Sequence, residues 1–150
     1  MGKKRVIKQD QTQLIKETEK IESAISKEPK VKISKVIPKG RIYIYTTYNN
    51  TIITLTDERG NTLTWKSAGI LGFSGTKKGT PYAASQVALA ISQVIKKLGM
   101  ESVDVFVKGV GSGRDLVLRT LAGQGIVFDS IQDITPIPHD GCRPPKPRRV

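Results

Sequence analysis

The sequence has few of the residues that most often carry catalysis or metal binding. Its 150 residues include one cysteine, Cys142, and one histidine, His139. A single cysteine cannot form an intrachain disulfide, and with a single histidine it cannot supply four zinc ligands. We therefore expect no metal, no cofactor and a reducing compartment.

Long apolar runs are also missing. No stretch approaches the roughly 18 residues that span a bilayer, and the amino-terminal segment MGKKRVIKQDQTQLIKETEK has no apolar core of the kind found in signal peptides. The basic segments also lack the Trp, Phe and Leu face of an interfacial helix. We therefore expect no membrane partner and a protein that is used where it is made.

Basic residues, in contrast, are abundant and lie mainly at the two ends. The formal net charge is +12 at pH 7. Residues 1–40 carry eleven Lys or Arg against five acids, residues 41–140 carry ten against eight, and residues 141–150 carry four against none. A nearly balanced body between basic arms is typical of a protein that binds a polyanion, and nucleic acid is the first partner it predicts.

The carboxyl-terminal segment has an unusual composition. Residues 136–150 contain five prolines, four cations and no periodic apolar pattern. Proline lacks a backbone donor and fixes its own φ, so the segment is predicted to be extended, with its cations displayed along it. A solubilising appendage is the alternative interpretation of such a tail.

The apolar pattern predicts one α/β domain between two arms. Three segments rich in Ile, Tyr and Thr predict an antiparallel meander, and the strands and helices that alternate after it favour parallel neighbours in a mixed five-strand sheet. The predicted strands are 41–48, 51–57, 62–66, 102–107 and 126–131, and the predicted helices are 81–98 and 114–122. The predicted regions are a basic extension (1–40) with a short amphipathic helix within 9–28, a globular domain (41–133) and a tail (134–150).

Two glycine-rich turns precede the predicted helices and are candidate phosphate sites. The first, residues 67–79, has four glycines and ends at Lys77 and Lys78, immediately before a helix capped by Thr80. Glycine lets a backbone approach closely, lysine supplies charge, and the unpaired amides of a first helical turn point at an anion. A flexible surface loop is the alternative.

The second turn, residues 108–114, lies between a strand and a helix and has two interpretations besides simple turn chemistry. Lys108, Arg114 and Arg119 can contact RNA phosphates. A dinucleotide site with Asp129 as its downstream acid is also conceivable, but Arg114 occupies the position of the third glycine in that fingerprint.

Two enzymatic hypotheses remain weak. His139 and Cys142 are three residues apart, but no rigid scaffold or third group would orient them as a nucleophilic pair. Four aspartates on predicted strands or turns offer a metal-dependent nuclease as a second hypothesis: Asp57, Asp104, Asp129 and Asp133.

The aromatic residues lie on or beside predicted strands and helices whose packing requires apolar side chains in the core, so most are predicted to be buried. Phe73 and Tyr82 flank the loop that carries Lys77 and Lys78. They are the two aromatics predicted to stack on an unpaired base.

Several motifs together resemble the small-subunit ribosomal protein S-eleven family. The strongest is residues 133–145, DITPIPHDGCRPP, and it is supported by Asn49-Asn50-Thr51, by Thr80-Pro81-Tyr82-Ala83-Ala84 and by the turn 108–114. The resemblance covers about residues 41–150. It implies a three-layer α/β/α fold with a mixed five-strand sheet and extended basic arms, and no enzymatic activity.

The resemblance also implies a role and a set of contacts. The role is to bind small-subunit ribosomal RNA in the platform, near the exit of the messenger channel, where messenger RNA is a further contact. The implied neighbours are the proteins S-seven, S-eighteen and S-twenty-one, in a bacterial cytoplasmic or an organellar ribosome. The implied RNA-binding residues are Asn49, Asn50, Lys77, Lys78, Thr80, Lys108, Arg114, Arg119, His139, Arg143, Lys146, Arg148 and Arg149.

The chain departs from the family pattern at two places. Its first 35 or so residues are longer than the short basic arm usual in the family, so their contacts are not implied by the resemblance. Asp140 also precedes Gly141, where the family commonly has Asn.

Overall fold

The computed structural model describes residues 37–143 together with Glu19, Ser23, Pro145 and Lys146. Glu19 and Ser23 are helical, and the rest of the helix predicted within residues 9–28 lies outside the described residues. Arg148 and Arg149 lie outside them as well.

The described chain forms a five-strand sheet and two α-helices. The strands are β1 (Lys39–Thr46), β2 (Thr51–Asp57), β3 (Thr62–Ser67), β4 (Ser102–Lys108) and β5 (Val127–Asp133). The helices are α1 (Pro81–Leu98) and α2 (Arg114–Gly123), and a 3-10 turn (Gly75–Gly79) precedes α1. The strand order is β3-β2-β1-β4-β5, with β1 antiparallel to β2 and parallel to β4.

This architecture confirms the predicted mixed five-strand sheet and both helices. The largest difference is β1, which lies two residues earlier than the predicted 41–48. It ends at Thr46 because Thr47 already belongs to the following turn, where its amide donates to the Asn50 carbonyl oxygen at 2.9 Å.

The core lies on one face of the sheet because side chains alternate along each strand. Ile42 and Ile44 of β1 pair in register with Val105 and Val107 of β4, and all four are buried. Each fully buried aliphatic side chain of this size contributes about 1.5–3 kcal/mol through the hydrophobic effect. The buried side of α1 covers this face: Ala83, Ala84, Val87, Ala88, Ile91, Val94, Ile95 and Leu98.

Local signals define both ends of α1. Thr80 accepts a hydrogen bond from the Ala83 amide at 3.2 Å, and Pro81 occupies the first helical position. Gly99 ends the helix in the left-handed conformation with φ 67°, which glycine adopts without steric cost. The start of α1 is thereby fixed beside the end of β1, where the candidate site lies.

Both described helices pack on the same face of the sheet. α2 packs against α1, and its Val117 and Leu121 join the same core. On the opposite face Tyr43 and Phe106 stack at 5.0 Å between ring centroids and are partly buried. Tyr45 and Trp65 are 45% and 53% exposed on that face, so they are exceptions to the expectation that most aromatic residues are buried.

Candidate nucleic-acid interface

The candidate site lies at the edge of the sheet where β1, β4 and β5 end. These three strands are parallel, so the segments that follow them meet at one edge. β3 also ends there, since Ser67 pairs with Ile52 near the start of β2. We define the basic edge as the predicted site residues that this topology brings together: Asn49, Asn50, Lys77, Lys78, Thr80, Lys108 and Arg114.

Glycine makes this convergence possible because the loop backbones touch. A Cβ atom on Gly79 would lie 2.1 Å from the Tyr48 carbonyl oxygen, and one on Gly109 would lie 2.1 Å from the Thr46 carbonyl oxygen. Gly109 also has φ 94°, which disfavours any other residue. The sequence predicted both turns but not that their glycines pack against the β1–β2 loop.

Ser112 provides a further link between the two turns. Its hydroxyl donates to the Gly79 carbonyl oxygen at 2.9 Å, joining the turn before α2 to the turn before α1. A single serine between glycines does not indicate such a contact, so this hydrogen bond was not predicted from the sequence. The β1–β2 loop, the turn before α1 and the turn before α2 are therefore held together as one unit.

The β1–β2 turn is stabilised by its own polar groups. The Asn50 amide donates to Thr47 Oγ1 at 3.1 Å, and Asn50 Oδ1 accepts from the Thr51 amide at 3.0 Å. Asn50 therefore shapes the turn, while Asn49 and Tyr48 are exposed at its tip, with Tyr48 81% exposed. Tyr48 is therefore an exception to the expectation that most aromatic residues are buried, and its ring is available to a ligand.

The amino terminus of α1 opens onto the same edge. The Thr80 hydroxyl donates to the Lys77 carbonyl oxygen at 2.7 Å while it accepts from Ala83. Thr80 therefore caps the helix, and the positive end of the helix dipole remains directed at the edge. Tyr82 is 55% exposed beside it and contacts Phe73 edge-on at 6.0 Å between ring centroids.

The cations of the edge differ in their protein partners. Within the part of the chain that the structure describes, the side chains of Lys78 and Lys108 make no hydrogen bond or ion pair. Arg114 donates to Asp133 Oδ2 at 2.5 Å and to the Gly109 carbonyl oxygen at 3.4 Å, and its side chain remains one third exposed. Arg119 is exposed but lies about 7.5 Å further along the α2 axis, beside the edge and not on it.

Asp133 is a functional candidate that sequence reasoning considered only as a metal ligand. Hydrogen bonds from Thr135 and Arg114 lower the pKa of its carboxyl group to about 2. The spacing Asp-x-Thr was a usable signal, because an aspartate often accepts a hydrogen bond from the amide two residues later. That bond is present, from the Thr135 amide at 2.9 Å.

The tail leaves the domain from the basic edge. Ile134 continues the sheet by one further hydrogen bond, from its amide to the Val107 carbonyl oxygen at 2.9 Å. His139, Arg143 and Lys146 follow and are all exposed. The segment that carries these exposed residues therefore starts at the basic edge.

The geometry contradicts the two enzymatic interpretations that depend on aspartates. Asp57 and Asp129 lie at the far end of the sheet, near the starts of β1 and β4, whereas Asp133 lies at the basic edge. Asp104 accepts a hydrogen bond from Ser130 at 2.6 Å. No group of three or more His, Cys, Asp or Glu is arranged to hold a metal among the described residues. Asp129 is also too far from the turn 108–114 to serve a dinucleotide bound there.

None of the helices that the structure describes is long and apolar enough to cross a membrane.

Comparison with known proteins identifies the class first. The chain is similar to proteins named small ribosomal subunit protein uS11 from Endomicrobium trichonymphae (51% identity, 74% of this chain and 85% of the relative) and from Desulfotalea psychrophila (49% identity, 85% and 99%). It is also similar to small ribosomal subunit protein uS11c of Cyanidioschyzon merolae (54% identity, 75% and 93%). These relatives are structural proteins of the small ribosomal subunit.

The family follows from a second finding. Residues 40–149 match the family model described as ribosomal protein S11. The chain belongs to the ribosomal protein S11 family, whose members are structural constituents of the ribosome and not enzymes. The resemblance read from the motifs is thereby confirmed.

Proposed function

We propose that the chain binds small-subunit ribosomal RNA through the basic edge and the tail, and that it does so in the platform near the exit of the messenger channel. The neighbours proposed there are the proteins S-seven, S-eighteen and S-twenty-one, with messenger RNA as a further contact. Family membership supports the ribosomal assignment. The detailed location comes from the motif resemblance.

One observation carries the proposal: unpaired cations, a helix amino terminus and the exit of a basic tail lie at the same edge. Lys78 and Lys108 have no protein counter-charge among the described residues, so their charge is available to phosphates. The first turn of α1 adds backbone amides whose dipole favours an anion. Separately these features are common on protein surfaces, but together they form a surface suited to a phosphate backbone.

The mechanism is electrostatic neutralisation combined with ordering of the tail. Lys and Arg side chains that contact phosphates release condensed counterions, which favours binding at low salt. The proposed contacts in the tail are His139, Arg143, Lys146, Arg148 and Arg149. An extended, proline-rich segment suits this role because proline restricts the free chain, so less conformational entropy is lost on binding.

Shape and stacking provide the proposed specificity. Tyr48 and Tyr82 present exposed rings at the basic edge, and aromatic side chains stack on bases splayed out of single-stranded loops. Phe73, predicted as a second stacking residue, is only 9% exposed and instead packs against Tyr82. We therefore assign base stacking to Tyr82 and a supporting role to Phe73.

The test is binding of the purified chain to a folded small-subunit platform RNA fragment, with an unrelated RNA of equal length as control. Both affinities are measured across a salt titration, since phosphate contacts alone give steep salt dependence for any RNA. The proposal predicts a preference for the platform fragment that persists at physiological salt. Equal and equally salt-sensitive binding to both RNAs would contradict it.

A further inference from the structure

An acidic residue lies at the basic edge, on the outermost strand of the sheet. Asp133 is the last residue of β5 and pairs in register with Val107, next to Lys108. Its lowered pKa keeps the carboxyl group ionised throughout the physiological range. On electrostatic grounds alone, a carboxylate here weakens the attraction of the surface for a phosphate backbone.

Asp133 belongs to a closed ring of hydrogen bonds. Its Oδ2 accepts from Arg114 Nη2 at 2.5 Å, and its Oδ1 accepts from the Thr135 hydroxyl at 2.6 Å. Thr135 Oγ1 in turn accepts from the Gly109 amide at 3.0 Å. The Gly109 carbonyl oxygen accepts from Arg114 Nη1 at 3.4 Å, which closes the ring.

The ring joins three parts of the molecule that are far apart in sequence. Arg114 is the first residue of α2, Gly109 belongs to the turn after β4, and Thr135 is the second residue of the tail. Beyond Thr135, no described residue from 136 to 143 makes a hydrogen bond or ion pair. The ring is therefore the last described polar attachment of the tail to the domain.

We propose that Asp133 and Thr135 are positioning residues for RNA binding, because the ring fixes the direction in which the tail leaves the basic edge. The inference rests on the proposed function and extends it. A tail held at its base samples fewer directions, so its cations lose less entropy when they reach the phosphates that continue from the edge. The carboxylate thus favours RNA binding through the ring despite its charge.

The first experiment asks whether removing the charge of Asp133 weakens or tightens RNA binding. Asp133→Asn removes a negative charge from a basic surface, so simple electrostatics predicts tighter RNA binding. The positioning role predicts weaker binding, by roughly three- to tenfold, which is within the range for residues coupled in one network. The matched control is Asp140→Asn, freshly prepared, which removes the same charge outside the ring and is expected to bind as tightly as wild type or more tightly.

The second experiment changes no charge. Thr135→Val removes the hydroxyl and keeps the side-chain shape, whereas Thr135→Ser retains the hydroxyl. We expect Val to weaken binding to the platform RNA fragment by roughly three- to tenfold and Ser to restore most of it. Thermal unfolding of each variant is measured in parallel to separate RNA binding from stability.

A double-mutant cycle distinguishes positioning from general stabilisation. Thr135→Val is repeated in a chain that lacks residues 141–150. If the ring orients the tail, the substitution has little effect on RNA affinity in the truncated chain. If it has the same effect in both backgrounds, or if Asp133→Asn tightens binding, the inference is wrong. Failure of the wild-type chain to prefer platform RNA would instead contradict the proposed function itself.

Discussion

The two ends of the sheet use their charged residues differently. At the far end, Lys39 pairs with Asp129 at 3.1 Å, and Asp129 also accepts from the Ser102 hydroxyl at 2.8 Å. At the basic edge, Lys78 and Lys108 have no such partner among the described residues. The proposed interface is therefore distinguished by lysines whose charge has no counter-charge in the described protein, and not by the amount of charge alone.

The pKa directions agree with this difference. The hydrogen bond and charge of Asp129 raise the pKa of Lys39, and the pKa of Asp129 is lowered by hydrogen bonds from Ser102 and Lys39. The charges of Lys39 and Asp129 are thus balanced against each other at the far end. At the basic edge one acid, Asp133, is used to hold Arg114 and the start of the tail.

The largest expected effect is on RNA affinity after loss of the tail. Deleting residues 141–150 removes four cations from the tail. The slope of log affinity against log salt should fall by about 0.7 to 0.9 for each lost phosphate contact. A full-length variant with the same four cations changed to Gln separates charge from chain length. A slope identical to that of wild type in both would exclude the tail from the interface.

The next effect is on the packing that brings the loops together. In Gly79→Ala the new Cβ would lie 2.1 Å from the Tyr48 carbonyl oxygen, so backbone must shift. We expect a loss of about 3 kcal/mol in the free energy of unfolding, at the upper end for overpacking. Chemical denaturation measures it. The matched control is Gly123→Ala, where no atom lies within 4 Å of the new Cβ and stability should be unchanged or slightly higher.

If Gly79→Ala and Gly123→Ala change stability equally, the close approach of the loops does not set the geometry of the edge.

A smaller effect is expected from the exposed ring at the start of α1. Tyr82→Ala should weaken RNA binding by about 1–3 kcal/mol, the usual contribution of one stacked base. Tyr82→Phe retains the ring and should bind nearly as wild type. Equilibrium binding at fixed salt measures both, and an equal loss in both variants would indicate a role for the hydroxyl and not for stacking.

The smallest effect concerns acid stability. The folded pKa of Asp133 is about 2, below its ordinary value of 3.8, so its ionised form stabilises the fold above pH 3.8. That contribution is lost as pH falls from 3.8 towards 2. Asp133→Asn should therefore be less stable than wild type at pH 7, and the difference should shrink by pH 2. Urea denaturation at several pH values measures it, and a difference that is constant with pH would contradict the lowered pKa.

The sequence predicted most elements of the fold because their signals are local. Thr80, Pro81 and Gly99 mark both ends of α1. The predicted phosphate site at Lys77 and Lys78 also depends on local features, namely glycines before a helix start.

Contacts between segments that are distant in sequence could not be predicted from such local signals. The ring of Arg114, Asp133 and Thr135 exists because β5 lies parallel to β4, which places the end of β5 beside the start of α2. The exposure of Tyr45 and Trp65 likewise depends on which face the helices cover, and aromatic content alone does not determine that.

The most direct test of the account compares the two ends of the sheet with the same charge change. Lys77→Gln with Lys78→Gln removes two charges at the basic edge. Lys96→Gln with Lys97→Gln removes two in the last turn of α1, about 23 Å along the helix from its first residue. Salt titration of binding to the platform RNA fragment should show a clearly lower slope for the first pair and a wild-type slope for the second. Equal changes in both pairs would contradict a localised interface.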